Sequence, residues 1–416
     1  MTASKQPARK RAAIVRLAGY PQDMLVRREA TALRDAGFET HIFCLRGCQP
    51  AEEVIDAIYV HRLPLRRKKG AVLRTLFEYV MFFWLVACKL TLFHWRKPWA
   101  VIQVNTMPDF LVFATLIPRL LGAKVTLQMY EPMPELWATQ FSSFWLTKFL
   151  QQIEQWSLRY AHAAFTVTQT LKERFVSRGA DPCKITVVLN VPDPQFFAME
   201  HASPPKTDSS RFTLLCHGAV EERYGHDTML QAIELVRATL PNVCLRITGN
   251  GSYRQALVRQ IEQRDLQDHV QYLGYVSWEQ LVEELTNADA GIVAQKSSPY
   301  SNLVHTGKMY DFLAFGKPVI VSRLEAVRAY FGEDMLFFFE AGNPHDLARA
   351  ILEVYHQPCK RARMVQNALR AYRQYSWENQ KIAYLGVYHR LVTGLTHLVV
   401  GQASSLTRRP GRPSHK

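Results

Sequence analysis

The sequence predicts an α/β protein built from two doubly wound domains with parallel sheets. The chain has 416 residues, more than one hydrophobic core usually supports. Short runs rich in β-branched residues alternate with helical patterns, and such alternation gives right-handed crossovers and parallel strands. The alternation stops once, in a segment rich in Pro, Ser and Asp between Val191 and Ser210. We therefore expect two Rossmann-like domains that face each other across a cleft, with ligands at the carboxyl ends of both sheets.

The first series of elements begins at residue 12. Its strands are short apolar runs, predicted at 12–17, 40–45, 57–63, 100–104, 124–129, 164–168 and 185–189. Its helices have apolar residues three and four positions apart, and they are predicted at 24–35, 71–95, after Pro108, at 144–160 and after residue 168. The second series has strands predicted at 212–218, 243–251, 269–276, 289–295, 318–322 and 335–339, with helices between them.

The formal net charge of +15 is unevenly distributed along the chain. Most of the excess lies in three segments without acids, at 5–11, 62–74 and 408–416. The first and last of these lie in polar, low-complexity ends, which we expect to be disordered tails. Because the charge lies in tails and one loop, without interleaved aromatic residues, we do not expect a nucleic-acid partner.

The seven cysteines are scattered and include no CxxC pair. This usage argues against a disulfide framework and against a zinc site, and it favours a reducing compartment. An Asp-x-Asp metal motif is also missing, so we expect no metal site. The N-terminal segment is basic but has no apolar signal region, which predicts a cytoplasmic protein.

The predicted helix at 71–95 bears on localisation. Its longest uninterrupted apolar run, at 79–88, has ten residues and is too short to span a bilayer. The helix is nevertheless apolar nearly all round, and basic residues flank both ends. One interpretation places segment 62–97 on an anionic membrane, with the protein peripheral at the inner face of the cytoplasmic membrane. The other is a fully buried core helix beside a solvated loop.

Two stretches carry glycines and polar residues where strands end. Gly249-Asn250-Gly251 leads from a strand into a helix, where backbone N–H groups can bind phosphate, although the stretch alone is equally typical of a tight turn. Lys308 and Asp311 lie in the first turns of a helix that ends at Gly316. A lysine at a helix N-terminus suits a diphosphate, and a carboxylate one turn away can accept hydrogen bonds from sugar hydroxyls. The alternative for this pair is an ordinary surface ion pair.

Several longer motifs occur in a fixed order along the chain. The first half contains AGYPQDMLVRREATALRDAGFETHIF and AVIQVNTMPDFLVFATLIPRLLGAKVTLQMYEPMPELW, and the second half contains FTLLCHGAVEERYGHDTMLQAI, LRITGNG, VQYLGYVSWEQLVEELTNADAGIVAQ and GKMYDFLAFGKPVIVS. This ordered set resembles the family 4 retaining glycosyltransferases, or glycosyl transferases group 1. The resemblance covers nearly the whole chain between the tails. It implies the GT-B fold and a nucleotide-diphosphate sugar as donor.

The resemblance also suggests how the chain is divided. The expected parts are a basic tail at 1–11, an acceptor-side domain at 12–198, a linker at 199–210, a nucleotide-sugar-binding domain at 211–376, a helix at 377–398 that crosses back to the first domain, and a basic tail at 399–416.

On the donor side, two family positions are kept and three are changed. Lys308 matches a lysine of many relatives, and Asp311 stands where the family has the second of two glutamates, the one that holds the ribose. The first glutamate would fall at Leu303. The family's two phosphate-binding cations would fall at Ala219 and Tyr224.

Arg223 is the nearby replacement for the missing cations, and its alternative is a solvated residue paired with Glu221 or Glu222. Arg223, Lys308 and Asp311 are thus the expected catalytic residues. The expected donor-binding residues also include Gly19, Gly218, Gly249, Asn250, Gly251, Tyr275, Thr306 and Gly307. On the acceptor side, Tyr130 and Glu131 replace the His-Asp of many relatives, and Glu135 matches a family glutamate whose role is either acceptor binding or structural.

The resemblance implies transfer of a hexosyl group with retention, without metal and without a cofactor other than the donor substrate. The basic loop and the aromatic helix favour a lipid-linked or glycan acceptor, in polysaccharide or glycolipid assembly at a membrane. The alternatives are a nucleotide-sugar-binding protein without catalysis and a nucleotide-sugar epimerase of the same fold.

Overall fold

The computed structural model describes residues 9–66, 72–139, 141, 143–193, 195 and 211–394. The chain divides into two compact units: unit 1 contains the chain up to Leu189 and again from Glu378, and unit 2 contains Asn190–Trp377. The predicted linker at 199–210, the tail at 399–416 and most of the tail at 1–11 lie outside the described residues, as does part of the basic loop.

Unit 1 contains a sheet of eight strands. In chain order they are β1 (Arg11–Arg16), β2 (Glu39–Leu45), β3 (Glu52–Ile55), β4 (Ile58–Leu63), β5 (Val101–Asn105), β6 (Lys124–Met129), β7 (Ala163–Thr166) and β8 (Ile185–Val187). Their order in the sheet is β3-β4-β2-β1-β5-β6-β7-β8, and only the β3–β4 pair is antiparallel. The predicted parallel α/β architecture is confirmed, with β3 as an edge strand that was not predicted.

Six helices lie between these strands in the described part of unit 1. They are α1 (Met24–Asp35), α2 (Val72–Arg96), α3 (Leu116–Leu120), α4 (Met133–Ala138), α5 (Phe144–Tyr160) and α6 (Gln169–Ser177). The helix predicted after Pro108 is instead a seven-residue 3-10 segment, Asp109–Thr115, followed by the short α3.

Unit 2 contains a second, fully parallel sheet. Its strands are β9 (Phe212–His217), β10 (Val243–Thr248), β11 (Val270–Gly274), β12 (Ala290–Val293), β13 (Val319–Ser322) and β14 (Phe337–Phe339), in the order β11-β10-β9-β12-β13-β14. Its helices are α7 (His226–Val236), α8 (Arg254–Gln263), α9 (Trp278–Asn287), α10 (Lys308–Ala314), α11 (Glu325–Arg328), α12 (Pro344–His356) and α13 (Pro358–Tyr375). The reversal of strand order beside β9 is where doubly wound sheets bind ligands.

The last described helix, α14 (Trp377–Thr393), belongs to unit 1 from Glu378 onward. The hydroxyls of Tyr384 and Tyr388 both donate to Gln103 Oε1, at 2.9 and 2.6 Å. The C-terminal helix is therefore anchored in the core of unit 1 by two buried hydrogen bonds.

The helix α2 is neither fully buried nor fully free. Tyr79, Phe82, Val86 and Leu90 form a buried stripe at spacings of three and four, whereas 80% of Leu73 is exposed. The interpretation as a fully buried core helix is therefore wrong. By length and composition, α2 is long and apolar enough to cross a membrane. The length of its uninterrupted apolar run had predicted that it was too short. A third of its most apolar window is, however, buried inside the protein.

The basic loop before α2 contributes less charge to the surface than predicted. Arg62 is buried: it forms an ion pair of 2.7 Å with Glu53 and donates to the carbonyl of Tyr20 at 3.2 Å. Arg74 pairs with Glu78 one turn later in α2. Residues 67–71 lie outside the described part of the chain.

Candidate active site in unit 2

The loops that follow β9 and β10 meet at the carboxyl edge of the unit 2 sheet. The N–H of Val220 donates to the carbonyl of Asn250 at 3.1 Å. A side chain on Gly249 would collide with the carbonyl of Gly218, and one on Gly251 would collide with Val220. The two loops therefore contact each other through bare backbone, which explains the glycines.

Lys308, the first residue of α10, extends across the loop that follows β9. Its aliphatic stem lies against Gly218, where any Cβ would collide with it. Its Nζ is 3.5 Å from the carbonyl oxygen of Ala219 and 3.9 Å from the centroid of the Tyr224 ring. Burial lowers the pKa of Lys308, and the positive charge of Arg223 lowers it further. The ammonium group is thus partly buried beside a second cation.

Arg223 approaches the same tyrosine ring. Its guanidinium carbon is 5.0 Å from the centroid of the Tyr224 ring. Of the two acids considered as its partners, Glu221 also accepts a hydrogen bond from the backbone of the loop after β10, and Glu222 also lies 3.8 Å from a lysine in the loop after β12. Arg223, Tyr224 and Lys308 are called the cation cluster below.

Asp311 faces a buried histidine and not Lys308. Its Oδ2 is 3.5 Å from His217 Nε2, and within the described part of unit 2 no ion pair joins it to Lys308. The alternative of an ordinary surface ion pair therefore does not fit this structure. Burial raises the pKa of Asp311 to about 8, although Lys308 opposes the shift. Burial lowers the pKa of His217 to about 3, so its imidazole is neutral.

His217 is the residue that sequence reasoning missed. It is the last residue of the apolar strand β9 and packs edge-on against Phe312, with ring centroids 5.0 Å apart. A histidine at the end of a buried strand gives no separate signal in the sequence. The position of the missing glutamate, Leu303, is buried and apolar.

The remaining predicted residues of this site divide by location. Thr306 and Gly307 lead into α10, where Thr306 Oγ1 accepts a hydrogen bond of 3.2 Å from the backbone N–H of Lys308. Tyr275 follows the edge strand β11, two strands away from β9, and 83% of it is exposed. The structure therefore does not bring Tyr275 to the cation cluster.

The predicted residues of unit 1 lie in and around a buried polar network. Tyr130 is buried, and its hydroxyl donates to Glu29 Oε1 at 2.9 Å and accepts from Asn105 Nδ2 at 3.0 Å. Its hydroxyl therefore points into the unit, contrary to the expected acceptor contact. Glu131 beside it is half-buried, and Gly19 is exposed in the loop after β1.

Glu135 belongs to a buried ion cluster. Arg178 forms ion pairs with both Glu135 and Glu154, the latter at 3.0 Å. Glu154 is fully buried, and this burial raises its pKa to about 7. The cluster connects α4, α5 and the end of α6, so of the two roles considered for Glu135 the structure favours the structural one.

Two family models match the chain, one in each unit. The model described as Glycosyl transferase 4-like domain matches residues 24–190, and the model described as Glycosyl transferases group 1 matches residues 200–371. The chain belongs to the GT-B glycosyltransferases. In this GT-B glycosyltransferase, the second match includes β9, α10 and the cation cluster.

Individual relatives of this glycosyltransferase are distant. Glycogen synthase from Mycobacterium tuberculosis is 23% identical over 252 residues, which cover 58% of each chain. The GDP-mannose-dependent monoacylated alpha-(1-6)-phosphatidylinositol monomannoside mannosyltransferase from Corynebacterium glutamicum is 23% identical over 232 residues, 55% of this chain and 58% of that protein. The chain thus spans just over half the length of these relatives. The structure of Anabaena HepE in complex with UDP and glucose matches with a TM-score of 0.69 at 15% identity, covering 93% of this chain and 100% of that one.

Proposed function

We propose that the protein transfers a hexosyl group from a nucleotide-diphosphate sugar to an acceptor hydroxyl, with retention at the anomeric carbon. The observation that carries this proposal is the cation cluster, which lies beside the bare backbone of the loops after β9 and β10. Two cations beside one ring repel each other, and Arg223 lowers the pKa of Lys308 for this reason. A diphosphate between them would remove that repulsion and accept charge-assisted hydrogen bonds from both.

The second part of the donor is assigned to Asp311. Its carboxyl group lies one turn after Lys308 in α10 and faces His217 at 3.5 Å. As a carboxylate it can accept hydrogen bonds from both hydroxyls of a ribose. His217, which is neutral and packed against Phe312, would hold the carboxyl in one orientation. His217 is then a positioning residue.

Sugar transfer then depends on stabilising the leaving diphosphate. Lys308 and Arg223 are placed to neutralise negative charge as the bond between sugar and phosphate breaks, which is where such sites obtain most of their rate enhancement. The diphosphate itself can take the proton of the acceptor hydroxyl, so the proposed step needs no carboxylate nucleophile at position 303. The loops after β9 and β10, with Gly218, Gly249, Asn250 and Gly251, and the segment that leads into α10, with Thr306 and Gly307, would bind the donor through the backbone.

The relatives support a nucleotide-sugar donor. The Corynebacterium glutamicum enzyme is named as GDP-mannose-dependent, and HepE was solved with UDP and glucose. We propose no cofactor besides the donor and no metal. In the described residues, no group of three or more His, Cys, Asp or Glu side chains is arranged to hold a metal ion.

The acceptor that we propose is lipid-linked or a glycan, used in polysaccharide or glycolipid assembly at the inner face of the cytoplasmic membrane. The exposed apolar side of α2 supports this assignment, since it would bring unit 1 to a membrane surface. The Corynebacterium glutamicum relative is named for a phosphatidylinositol mannoside acceptor.

Two measurements test the proposal. The first compares thermal stabilisation by UDP, GDP and ADP, since a ligand that binds the folded state raises the melting temperature. The second follows labelled sugar from the matching nucleotide sugar to a polyprenyl-diphosphate lipid by thin-layer chromatography. Nucleotide binding without transfer to any lipid or glycan acceptor would favour a binding protein, and conversion of the donor without acceptor would favour an epimerase.

A further inference from the structure

Large apolar side chains are exposed on three helices of unit 1. On α2 they include Leu73 and Trp95, on α3 Leu120, and at the start of α5 Phe144, Trp145 and Phe149, where 82% of Trp145 is exposed. Elsewhere in the described part of unit 1, the large exposed hydrophobic residues are Leu121, directly after α3, and Val54, Tyr59 and Ile382. Monomeric soluble proteins rarely expose so many neighbouring apolar groups without a binding role.

The three helices lie on one side of the sheet. They connect β4 to β5, β5 to β6 and β6 to β7, all of which advance in the same direction across the sheet. Right-handed crossovers in one direction place their helices on one face. The 3-10 segment between α2 and α3 joins them: Phe110 lies 6.4 Å from the ring of Tyr79 in α2, and Thr115 is 3.1 Å from the hydroxyl of Tyr160 in α5. The outer side of α2, α3 and α5 is called the three-helix face.

The charge of this face has one sign. The acids on the three helices are Glu78 and Glu154, and both are buried. The exposed charged residues, among them Arg96, Lys148 and Arg159, are cations. On the three helices, exposed tryptophan and phenylalanine accompany lysine and arginine, and no acid is exposed, which is the composition of a surface that lies in the headgroup region of an anionic bilayer. The exposed acid that contacts α2 is Glu52 of the edge strand β3, which pairs with Lys89 at 2.6 Å.

We propose that the three-helix face docks on an anionic phospholipid bilayer and inserts the side chains of α3 and of the start of α5 together with those of α2. This surface is wider than segment 62–97 and excludes Arg62, whose charge is buried against Glu53. Its existence does not depend on the donor site or on sugar transfer. Insertion is shallow, because the buried stripe of α2 remains packed on the sheet.

Vesicle flotation of the full chain tests the proposal. We expect binding to vesicles that contain about one third phosphatidylglycerol, weaker binding to pure phosphatidylcholine, and loss of binding at high salt, because screening weakens the attraction to headgroups. The variant Leu120→Ser/Trp145→Ser/Phe149→Ser leaves α2 intact and should bind more than about tenfold more weakly, because these side chains no longer bury apolar area. The matched control, Val54→Ser/Ile382→Ser, removes exposed apolar groups outside the face and should bind as the unmodified protein does.

Nucleotide-dependent thermal stabilisation should be the same in all three proteins, so failure of the docking surface is distinguishable from failure of the donor site. The proposal is overturned if the unmodified protein does not float with anionic vesicles, or if the α3/α5 variant floats equally well. Resistance of bound protein to alkaline carbonate would also overturn it, since that behaviour indicates a spanning helix. Sedimentation that shows self-association of the unmodified protein, lost in the variant, would assign the face to a second copy of the chain instead.

Discussion

Replacing Lys308 with methionine separates the charge of this side chain from its shape. Methionine keeps an unbranched apolar stem that can lie against Gly218, and it removes the ammonium group near Ala219 and Tyr224. In the unliganded protein the lost contacts are one carbonyl contact at 3.5 Å and one cation–π contact at 3.9 Å. The cation–π contact contributes about 0.5–2 kcal/mol. The loss of this contact is offset, because methionine also removes the cost of burying a charged ammonium group, the cost that lowers the pKa of Lys308. The free energy of unfolding should therefore change little.

Nucleotide affinity should change much more. A hydrogen bond to a charged group contributes about 1.5–3 kcal/mol, which corresponds to roughly 10- to 150-fold in the dissociation constant. Isothermal titration with the nucleoside diphosphate that best stabilises the unmodified protein measures this ratio. If the donor site is as proposed, kcat with the matching nucleotide sugar falls as well, because the leaving diphosphate carries more charge in the transition state than in the ground state.

The control is Lys360→Met, which removes a lysine from the surface ion pair with Glu353 on α12. It changes the net charge by the same amount without touching the loops after β9 and β10. A Lys308→Met protein that binds nucleotide within about twofold of the Lys360→Met protein, at equal stability, would refute the assignment of the cation cluster to the diphosphate.

The remaining predictions concern Asp311 in unit 2 and Arg178 in unit 1. The pKa of Asp311 is raised to about 8, and the carboxylate is the form proposed to bind ribose. Nucleotide affinity should therefore rise between about pH 7 and pH 9, as Asp311 ionises. Titration calorimetry should show this rise in the unmodified protein but not in Asp311→Asn. Because of the same shift, the unliganded folded protein keeps a proton on Asp311 at pH values where the unfolded chain has lost it. The contribution of Asp311 to the free energy of unfolding therefore decreases as the pH rises above the unfolded pKa, and it is lost above about pH 8. In unit 1, Arg178→Met leaves the buried Glu154 without its cation, while Glu135 keeps only the 3.9 Å ion pair with Arg174. The variant should be destabilised by about 3–5 kcal/mol. The loss should be smaller at about pH 6, where Glu154, with its pKa of about 7, is mostly protonated. Urea unfolding at two pH values measures the loss and its pH dependence, and an unchanged midpoint would contradict a structural role of the cluster.

Elements with local signals were predicted closely from the sequence. The helices α1 and α5 have the predicted limits, because apolar spacing is reinforced by capping: the side chains of Asp23 and Ser143 accept hydrogen bonds from the backbone of the first turns. The strand β3 was missed because its four residues, EEVI, are exposed at the sheet edge and show no alternation of apolar and polar residues. It forms only through pairing with β4, which a local pattern cannot indicate.

The exposure of α2 could not be predicted for a different reason. A helix that is apolar nearly all round has no polar face to mark the solvent side, so its sequence is compatible with burial, with surface docking and with spanning. The structure decides which side is covered, because the side of α2 that carries Tyr79 and the rest of the buried stripe packs against the other elements of unit 1. In the same way, α3 and the start of α5 gave no sequence signal of a shared surface with α2.

The donor site was predicted in part. Lys308 and the glycine loops were expected at the strand ends, since glycines there mark close approach of backbone segments. Their mutual contact depends on residues about ninety positions apart, and so does the pairing of His217 with Asp311, which is why neither could be derived from spacing alone.

The position of Tyr224 shows why the changed family residues do not argue against activity. The two family cations that would fall at Ala219 and Tyr224 are absent, which by itself favours a binding protein without catalysis. Yet positive charge is restored at this loop from two other directions, by Arg223 one residue earlier and by Lys308 from α10, and the tyrosine ring contacts both. A ring that attracts cations can hold them near each other while no anion is bound, so the loop keeps two positive charges that the sequence positions alone suggest it has lost.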